Sequence, residues 1–520
     1  MQKDAHRIFQ WMMVSSRPLG VEELAEVFAI NFDEEVSGIP KFEPSWRDAN
    51  PETAVLSACS TLVTIVDDRW YGKTVQFSHF SVQEYLTSDR IANAELVSHF
   101  HILPEPAHIL LAKSCLSVLF HLDYSVDKVK IQNFPLARYA AKHLVEHARF
   151  DDVSSYIRDG VDLLFDKDKP HFAIWVWVYN MDEYCKKYFY TDRPEKPDAV
   201  PLYFAALCGF RGLVERLLTA HPQDLNAEGG DWGAPLNAAL GKGHKDIALF
   251  LLDHGADGEN RGKVDQTGLY IASSHGYDDV VRSLIDLGAD LNTISKDYAK
   301  NYNNVKWTPL HVAIHIGRRD IAILLLEHGA DTETRRSWDG TALYMASSRG
   351  YSDVVRQLIS HGADLNAECN DWNMDCNVVR WTPLHVAIRD ETPPIARLLL
   401  EHGANPNATD HLGATALHLV SYWGGTTEVE LLLEYGANVD VRDKKGWTPL
   451  HEAAYYLNPQ VVVVLLNRGA DPHAQTNKGE TPTQLADTPS WRASKEDQAQ
   501  TIRLLSERTG ERMLGLRSWD

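Results

Sequence analysis

Apolar and polar positions in the second half of the chain follow the period of short helices. From Thr308 to Asp331 the sequence reads TPLHVAIHIGRRDIAILLLEHGAD. Leu310, Ala313 and Ile314 give a first helix one apolar side. Ile321, Ala322, Leu324, Leu325 and Leu326 give a second helix a wider one. Thr308 suits an N-cap, because its hydroxyl can accept from an unpaired first-turn N–H. Pro309 suits the first helical position, where no N–H is needed. Gly317 and Gly329 stand where each helix must end in a left-handed turn. Helices this short cannot bury their apolar sides alone, so the unit must stack on copies of itself. The copies are present. Gly-Ala-Asp or Gly-Ala-Asn recurs at Gly255, Gly288, Gly329, Gly362, Gly403, Gly436 and Gly469, with spacings of 33, 41, 33, 41, 33 and 33.

The first half reads differently. Ala5, Ile8, Phe9 and Met12 share one helical face, and Val21, Leu24, Ala25 and Phe28 another, with a break at Pro18 to Gly20. Residues 31–50 read as a polar, Pro-containing loop. A third helix is expected from Asn50 and Pro51, burying Val55, Leu56 and Cys59. Leu62 to Val66 is a β-branched strand, Asp67 and Asp68 the turn, and Thr74 to Phe80 the return strand. Ser81 and Glu84 form a capping-box pattern that opens the next helix. Three helices followed by a hairpin is the order of a winged helix. Residues 107–120 and 136–150 are amphipathic helices. Residues 171–179 (HFAIWVWVY) read either as a ligand cage or as a strand or helix docked on the first repeat. The expected organisation is a winged-helix-like domain at 1–100, a helical segment at 101–190 and a linker at 191–200. Repeats follow at 201–477, and a cap and tail at 478–520. The repeats are expected to stand without residues 1–190.

Two resemblances follow from these motifs. Thr382-Pro383-Leu384-His385 and Thr448-Pro449-Leu450-His451 repeat the opening at Thr308 letter for letter. Looser copies start at Thr267, Thr341 and Thr415. With the 33-residue period, the chain is identified as carrying an ankyrin-repeat array. That resemblance implies a mainly α solenoid of about eight repeats that binds proteins. Residues 75–86 (VQFSHFSVQEYL) and 134–149 (FPLARYAAKHLVEHAR) resemble the winged-helix and helical segments that follow the nucleotide-binding domain of fungal NACHT–ankyrin proteins. The resemblance implies a role in recognition. The chain looks like the carboxyl portion of such a receptor, either truncated or stand-alone. The phosphate-loop pattern of that family is not met: Gly72-Lys73-Thr74 would end it, but Asp67 occupies the first glycine position. No nucleotide binding is expected.

Charge and composition narrow the function classes. The net charge is −21, and the first hundred residues hold 8 Lys/Arg against 15 Asp/Glu, which disfavours nucleic acid and anionic membrane as direct partners. The six cysteines form no CxxC pair, and no apolar leader or membrane-length run occurs, so the cytosol or nucleus is expected. The single sequon, at Asn407, carries little weight without a leader. His311 and His315 have metal-ligand spacing, but Val312 stands where a zincin needs Glu. His451-Glu452 has the Glu, but Tyr455 replaces the second His. No GxSxG elbow occurs. Neither enzymatic activity nor a metal or cofactor is expected.

Binding is expected where the 41-residue spacings add eight residues to a turn. Offset by 74, the two inserts align: Asp297 with Asp371, Tyr298 with Trp372, Lys306 with Arg380, and Trp307 with Trp381. Insertions in repeat proteins map to loops on one face, often the binding face. Tyr298, Tyr302, Lys306, Trp307, Trp372, Met374, Arg380 and Trp381 are the candidate contacts for a protein partner, being the aromatic and cationic types that anchor interfaces. For Trp307 and Trp381 a second role stays open, covering the helix that follows, since Trp447 holds the same place without an insert. Two other functions remain as alternatives: an accessory protein or enzyme of a fungal secondary-metabolite pathway, and a transcriptional regulator acting through the winged helix.

Overall fold

Each repeat is built as its caps require. Thr308 accepts a hydrogen bond from the His311 N–H and starts the helix Pro309–Ile316, which ends at Gly317 with φ +86°. The helix Arg319–Glu327 follows and ends before Gly329, at φ +91°. A side chain at these positive φ values would be strained, so glycine is required there. The computed structural model describes all residues except 1, 37, 70–71, 96, 124, 128, 150, 179–196, 298–304, 336–339, 373–377, 489–493 and 511–520. It divides into two units, residues 1–265 and 266–520.

In the second unit the first helices of successive repeats pack side by side, from Gly268–His275 to Pro482–Ala486. The second helices form a parallel layer, from Asp278–Asp286 to Lys495–Thr509. The core lies between the layers, where Leu269, Leu310, Leu343, Leu384, Leu417 and Leu450 of the Thr-x-Leu openings are all buried. The last helix closes the stack with Leu505 buried, while Arg503 and Glu507 pair on its outer side at 2.9 Å.

The first unit opens with helices Gln2–Val14, Val21–Glu26 and Pro51–Cys59. A three-stranded antiparallel sheet accompanies them, in the order Leu19–Gly20, Gly72–Phe77, Val63–Asp68. Trp11, Leu24 and Val55 on these helices are fully buried. Four details differ from the sequence expectation. Residues 30–42 are a hairpin, Ile30–Val36 against Ile39–Phe42, which turns Ile30, Ile39 and Phe42 inward. Its register slips between Asn31 and Glu35, which breaks the alternation that marks a strand. Leu56 is 40% exposed, and Ala54 takes its expected place in the core. Asp67 and Asp68 lie in the strand, opposite Lys73 and Gly72. The helix Phe80–Leu86 is capped by His79, whose Nδ1 accepts from the Ser81 N–H, so Ser81 lies within the helix.

Helices Pro104–His121 and Pro135–Ala148 continue this unit, and the aromatic run forms a helix, Pro170–Val178. Trp175 on it is fully buried and donates its indole N–H to the Ala141 carbonyl at 3.0 Å. Phe172 and Trp175 meet Phe204 of the first repeat, with ring centroids 5.6 and 6.2 Å apart. Phe165 meets Phe210 at 6.0 Å. Arg149 donates to the Cys208 carbonyl at 3.0 Å, and Arg216 clasps Asp162 through bonds of 2.5 to 3.1 Å. Residues ahead of the expected linker at 191–200 therefore share packing with the first repeat. That packing bears directly on the expectation that the repeats stand without residues 1–190.

Candidate partner-binding surface

Each insert begins and ends in a short antiparallel hairpin. In the first, Ser295–Asp297 pairs with Val305–Trp307, and Ser295 lies opposite Trp307. In the second, Cys369–Trp372 pairs with Val378–Trp381, and Cys369 lies opposite Trp381. The 74-residue offset is kept in three dimensions at both anchors. The Ser295 hydroxyl accepts from the Thr267 N–H at 3.3 Å, and the Cys369 thiol meets the Thr341 hydroxyl at 3.9 Å. Each hairpin thus grips the N-cap threonine of the repeat before it.

The two closing tryptophans face inward. Trp307 is 5% exposed and packs with Tyr270 and Val312. Trp381 is 7% exposed and packs with Tyr344, Cys369 and Val386. His315 stands edge-on to Trp307 with ring centroids 4.3 Å apart, and the Arg389 guanidinium lies 4.9 Å over the Trp381 ring. These rings cover the helix that follows them, the second role left open for Trp307 and Trp381, and they offer little exposed surface to a partner. Arg380 is exposed and only loosely paired with Glu368 at 3.6 Å. Lys306 lies opposite Lys296 and Trp372 opposite Val378 on the hairpin strands. Tyr298, Tyr302 and Met374 lie outside the described residues.

Sequence reasoning missed the floor of these hairpins, although a signal was there. Tyr270 and Tyr344 replace the histidine of the repeat opening in the repeat just before each insert. The first repeat follows the same rule: Tyr203 accepts the Trp232 N–H at 3.2 Å, and Trp232 is buried. Where histidine is kept, it joins turns instead. His418 Nδ1 accepts from the Thr415 N–H at 3.1 Å, so the proton sits on Nε2, which donates to the Trp447 carbonyl at 3.1 Å. His451 makes the same link to the Ala474 and Glu480 carbonyls. Burial pushes the pKa of His385 down to about 4, which keeps it neutral. His311 bonds to Thr308, and His315 Nδ1 accepts from Arg349 at 2.8 Å, so the suggestive pair serves two separate structural contacts. Among the described residues no group of three or more His, Cys, Asp or Glu is arranged to hold a metal. Among them also, no helix is long and apolar enough to cross a membrane.

The repeat geometry has a family counterpart. The family model described as ankyrin repeats (3 copies) matches residues 202–295, 264–336, 293–369, 333–410 and 384–476, more than half of the chain. The chain belongs to the ankyrin-repeat family. Residues 1–102 of this ankyrin protein match the winged helix domain of GPI inositol-deacylase, the region associated with NACHT proteins. The two segments together resemble the carboxyl part of fungal NACHT–ankyrin proteins. Azaphilone pigments biosynthesis cluster protein L of Monascus ruber is 29% identical over 269 residues, 49% of this chain and 56% of its own length. The B-cell lymphoma 3 protein homolog of Mus musculus is 37% identical over 232 residues, 44% and 42% of the two lengths. The ankyrin protein thus spans about half the length of the curated relatives it matches. The solved ankyrin repeat domain of Bcl-3, a member of the IkappaB family, is 28% identical at a TM-score of 0.38. That match covers 46% of this chain and 98% of the other. Its ankyrin repeats support a role as a protein-interaction scaffold.

Proposed function

We propose that this ankyrin protein is a non-enzymatic scaffold that recognises a protein partner through its paired insert hairpins, as the recognition portion of a NACHT-type receptor. One observation carries the reading. A two-repeat block occurs twice at an offset of 74 residues, and each insert is anchored on the preceding capping threonine, Ser295 on the Thr267 N–H and Cys369 on the Thr341 hydroxyl. The winged-helix match ahead of the repeats supports the receptor part. Tyr298, Tyr302, Lys306, Trp372, Met374 and Arg380 are its contact residues.

The test compares rings at the tip and at the base of the hairpin, using the full chain as bait with identification of captured proteins by mass spectrometry. Tyr298→Ala and Trp372→Ala should leave the melting temperature nearly unchanged and weaken capture, since a lost anchor costs about 2 kcal/mol or more in binding. Trp381→Ala should instead cost about 3 kcal/mol or more in stability, as buried aromatics do. Unchanged capture with unchanged stability in the tip variants would move the partner site off the inserts.

A second reading rests on the likeness to a pigment-cluster protein, which favours an accessory role in a secondary-metabolite pathway. Deleting the gene would then change the metabolite profile of the producing organism.

A further inference from the structure

Six repeats open with Thr-x-Leu, and the residue after the histidine or tyrosine is apolar in five of them: Ile271, Val312, Met345, Val386 and Leu419. The first four are buried, and Leu419 packs partly buried against the cluster around Trp381. The sixth of these openings, at Thr448, has Glu452 in this place, on the helix Pro449–Tyr455. Val312 packs on Trp307, and Val386 on Trp381, each five residues downstream of its tryptophan. Glu452 stands five residues after Trp447, so the repeat sets its side chain against that indole as the valines are set against theirs.

A carboxylate in this place is balanced only weakly, by Lys445. Glu452 is half-buried, and among the described residues its side chain accepts no hydrogen bond and forms no ion pair. Burial raises its pKa to about 7, reinforced by Asp443 and opposed by Lys445. Rings surround it. Trp447 meets Tyr455 at 5.3 Å, Tyr455 meets Tyr456 at 4.9 Å, and Tyr456 meets Tyr422 at 4.2 Å between centroids. Tyr455 and Trp423 are 38% and 44% exposed.

This combination selects one kind of occupant. An apolar group would leave the carboxylate desolvated and unpaired. An anion would be repelled by Glu452 and Asp443. A metal ion would need further ligands, and among the described residues none are grouped for it. A cation on an apolar stem satisfies both features, because its charge pairs with the carboxylate and attracts the ring faces.

We propose that Glu452, with Trp447, Tyr455, Tyr456 and Tyr422, receives a basic side chain, lysine or arginine, from the protein partner. The proposal deepens the scaffold reading and rests on it. It adds a second contact, in the repeat that opens at Thr448, beside the insert hairpins.

The experiment titrates the full chain with three blocked five-residue peptides, Gly-Gly-X-Gly-Gly, in which X is lysine, arginine or norleucine. Tryptophan fluorescence reports binding. Glu452→Gln removes the charge, Glu452→Leu restores the residue type of the preceding repeat, and Lys445→Ala removes a rival cation within the chain. A lysine or arginine peptide should bind the wild type at least about tenfold more tightly than the norleucine peptide. Both Glu452 variants should abolish that preference, with circular dichroism unchanged, and the Lys445 variant should keep it. Preference for lysine over arginine, or the reverse, identifies the side chain. Equal binding of all three peptides would overturn the proposal, as would a preference that survives Glu452→Leu or one that vanishes in Lys445→Ala. The readout needs no natural partner. Failed capture in the bait experiment would therefore sink the scaffold reading while these titrations still judge the site. Capture lost with the tip variants but intact with Glu452→Leu would keep the scaffold and count against this contact.

Discussion

In the six Thr-x-Leu openings the histidine or tyrosine is structural, whereas the position after it is apolar in five copies and a carboxylate in the sixth. His418 and His451 are locked by a threonine on one side and a carbonyl on the other, so neither nitrogen is left for chemistry. Glu452 has no such lock, and its pKa gives a signed prediction. A carboxyl raised to about 7 in the folded chain, against about 4.5 when unfolded, takes up its proton more readily when folded. Its contribution is therefore full below pH 4.5 and is lost as pH rises through 7. Glu452→Gln does not titrate. Its stability relative to wild type should rise by roughly 1–3 kcal/mol between pH 4.5 and pH 8, after allowing for partial solvent screening. Urea unfolding at the two pH values measures this. A difference that stays constant with pH would mean that the carboxyl is solvated in the folded chain.

At the scale of elements, the aromatic helix Pro170–Val178 matters most. It shares its core with the first repeat through Phe172, Trp175 and Phe204. A chain starting at residue 198 would bare Phe204 and Phe210, and each ring losing its cover forfeits roughly 1.5–3 kcal/mol of burial. Limited trypsin digestion should then cut within 201–220 in that chain, and spare this stretch in one starting at residue 104. Equal resistance of the two would make the helix a neighbour rather than a support. The aromatic run was legible as a buried docking element because its residues are apolar on every side. The hairpin at 30–42 was not. Its acidic stretch and slipped register hide the alternation, and its inward residues are set by packing partners distant in sequence. Leu56 was misplaced for a similar reason, since the side of a short helix that meets the core depends on what packs against it.

At the scale of the molecule, the acidic balance and the Gly72–Thr74 segment bear on nucleotide. Lys73 lies on a strand and pairs with Glu52 at 2.6 Å, so its charge is already engaged. The five residues before Gly72 include no glycine of the kind that lets backbone N–H groups converge on a phosphate. Calorimetric titration of the full chain with Mg-ATP should therefore give no binding heat. A micromolar isotherm would require a phosphate site elsewhere in the chain and would weigh against a purely scaffold role.

The sequence by itself determined the repeat period, the threonine caps, the glycine turns and the duplicated inserts. These depend on contacts within a few residues, or on copies that can be counted along the chain. Only the tertiary structure decided which rings are spent on packing. Trp307 and Trp381 are closed in by Tyr270 and Tyr344, each 37 residues earlier in the chain. It also decided that Glu452 occupies a place built for valine and finds no partner there among the described residues. Burial and charge balance are set by neighbours from adjoining repeats, and a one-dimensional pattern does not say which neighbours those are.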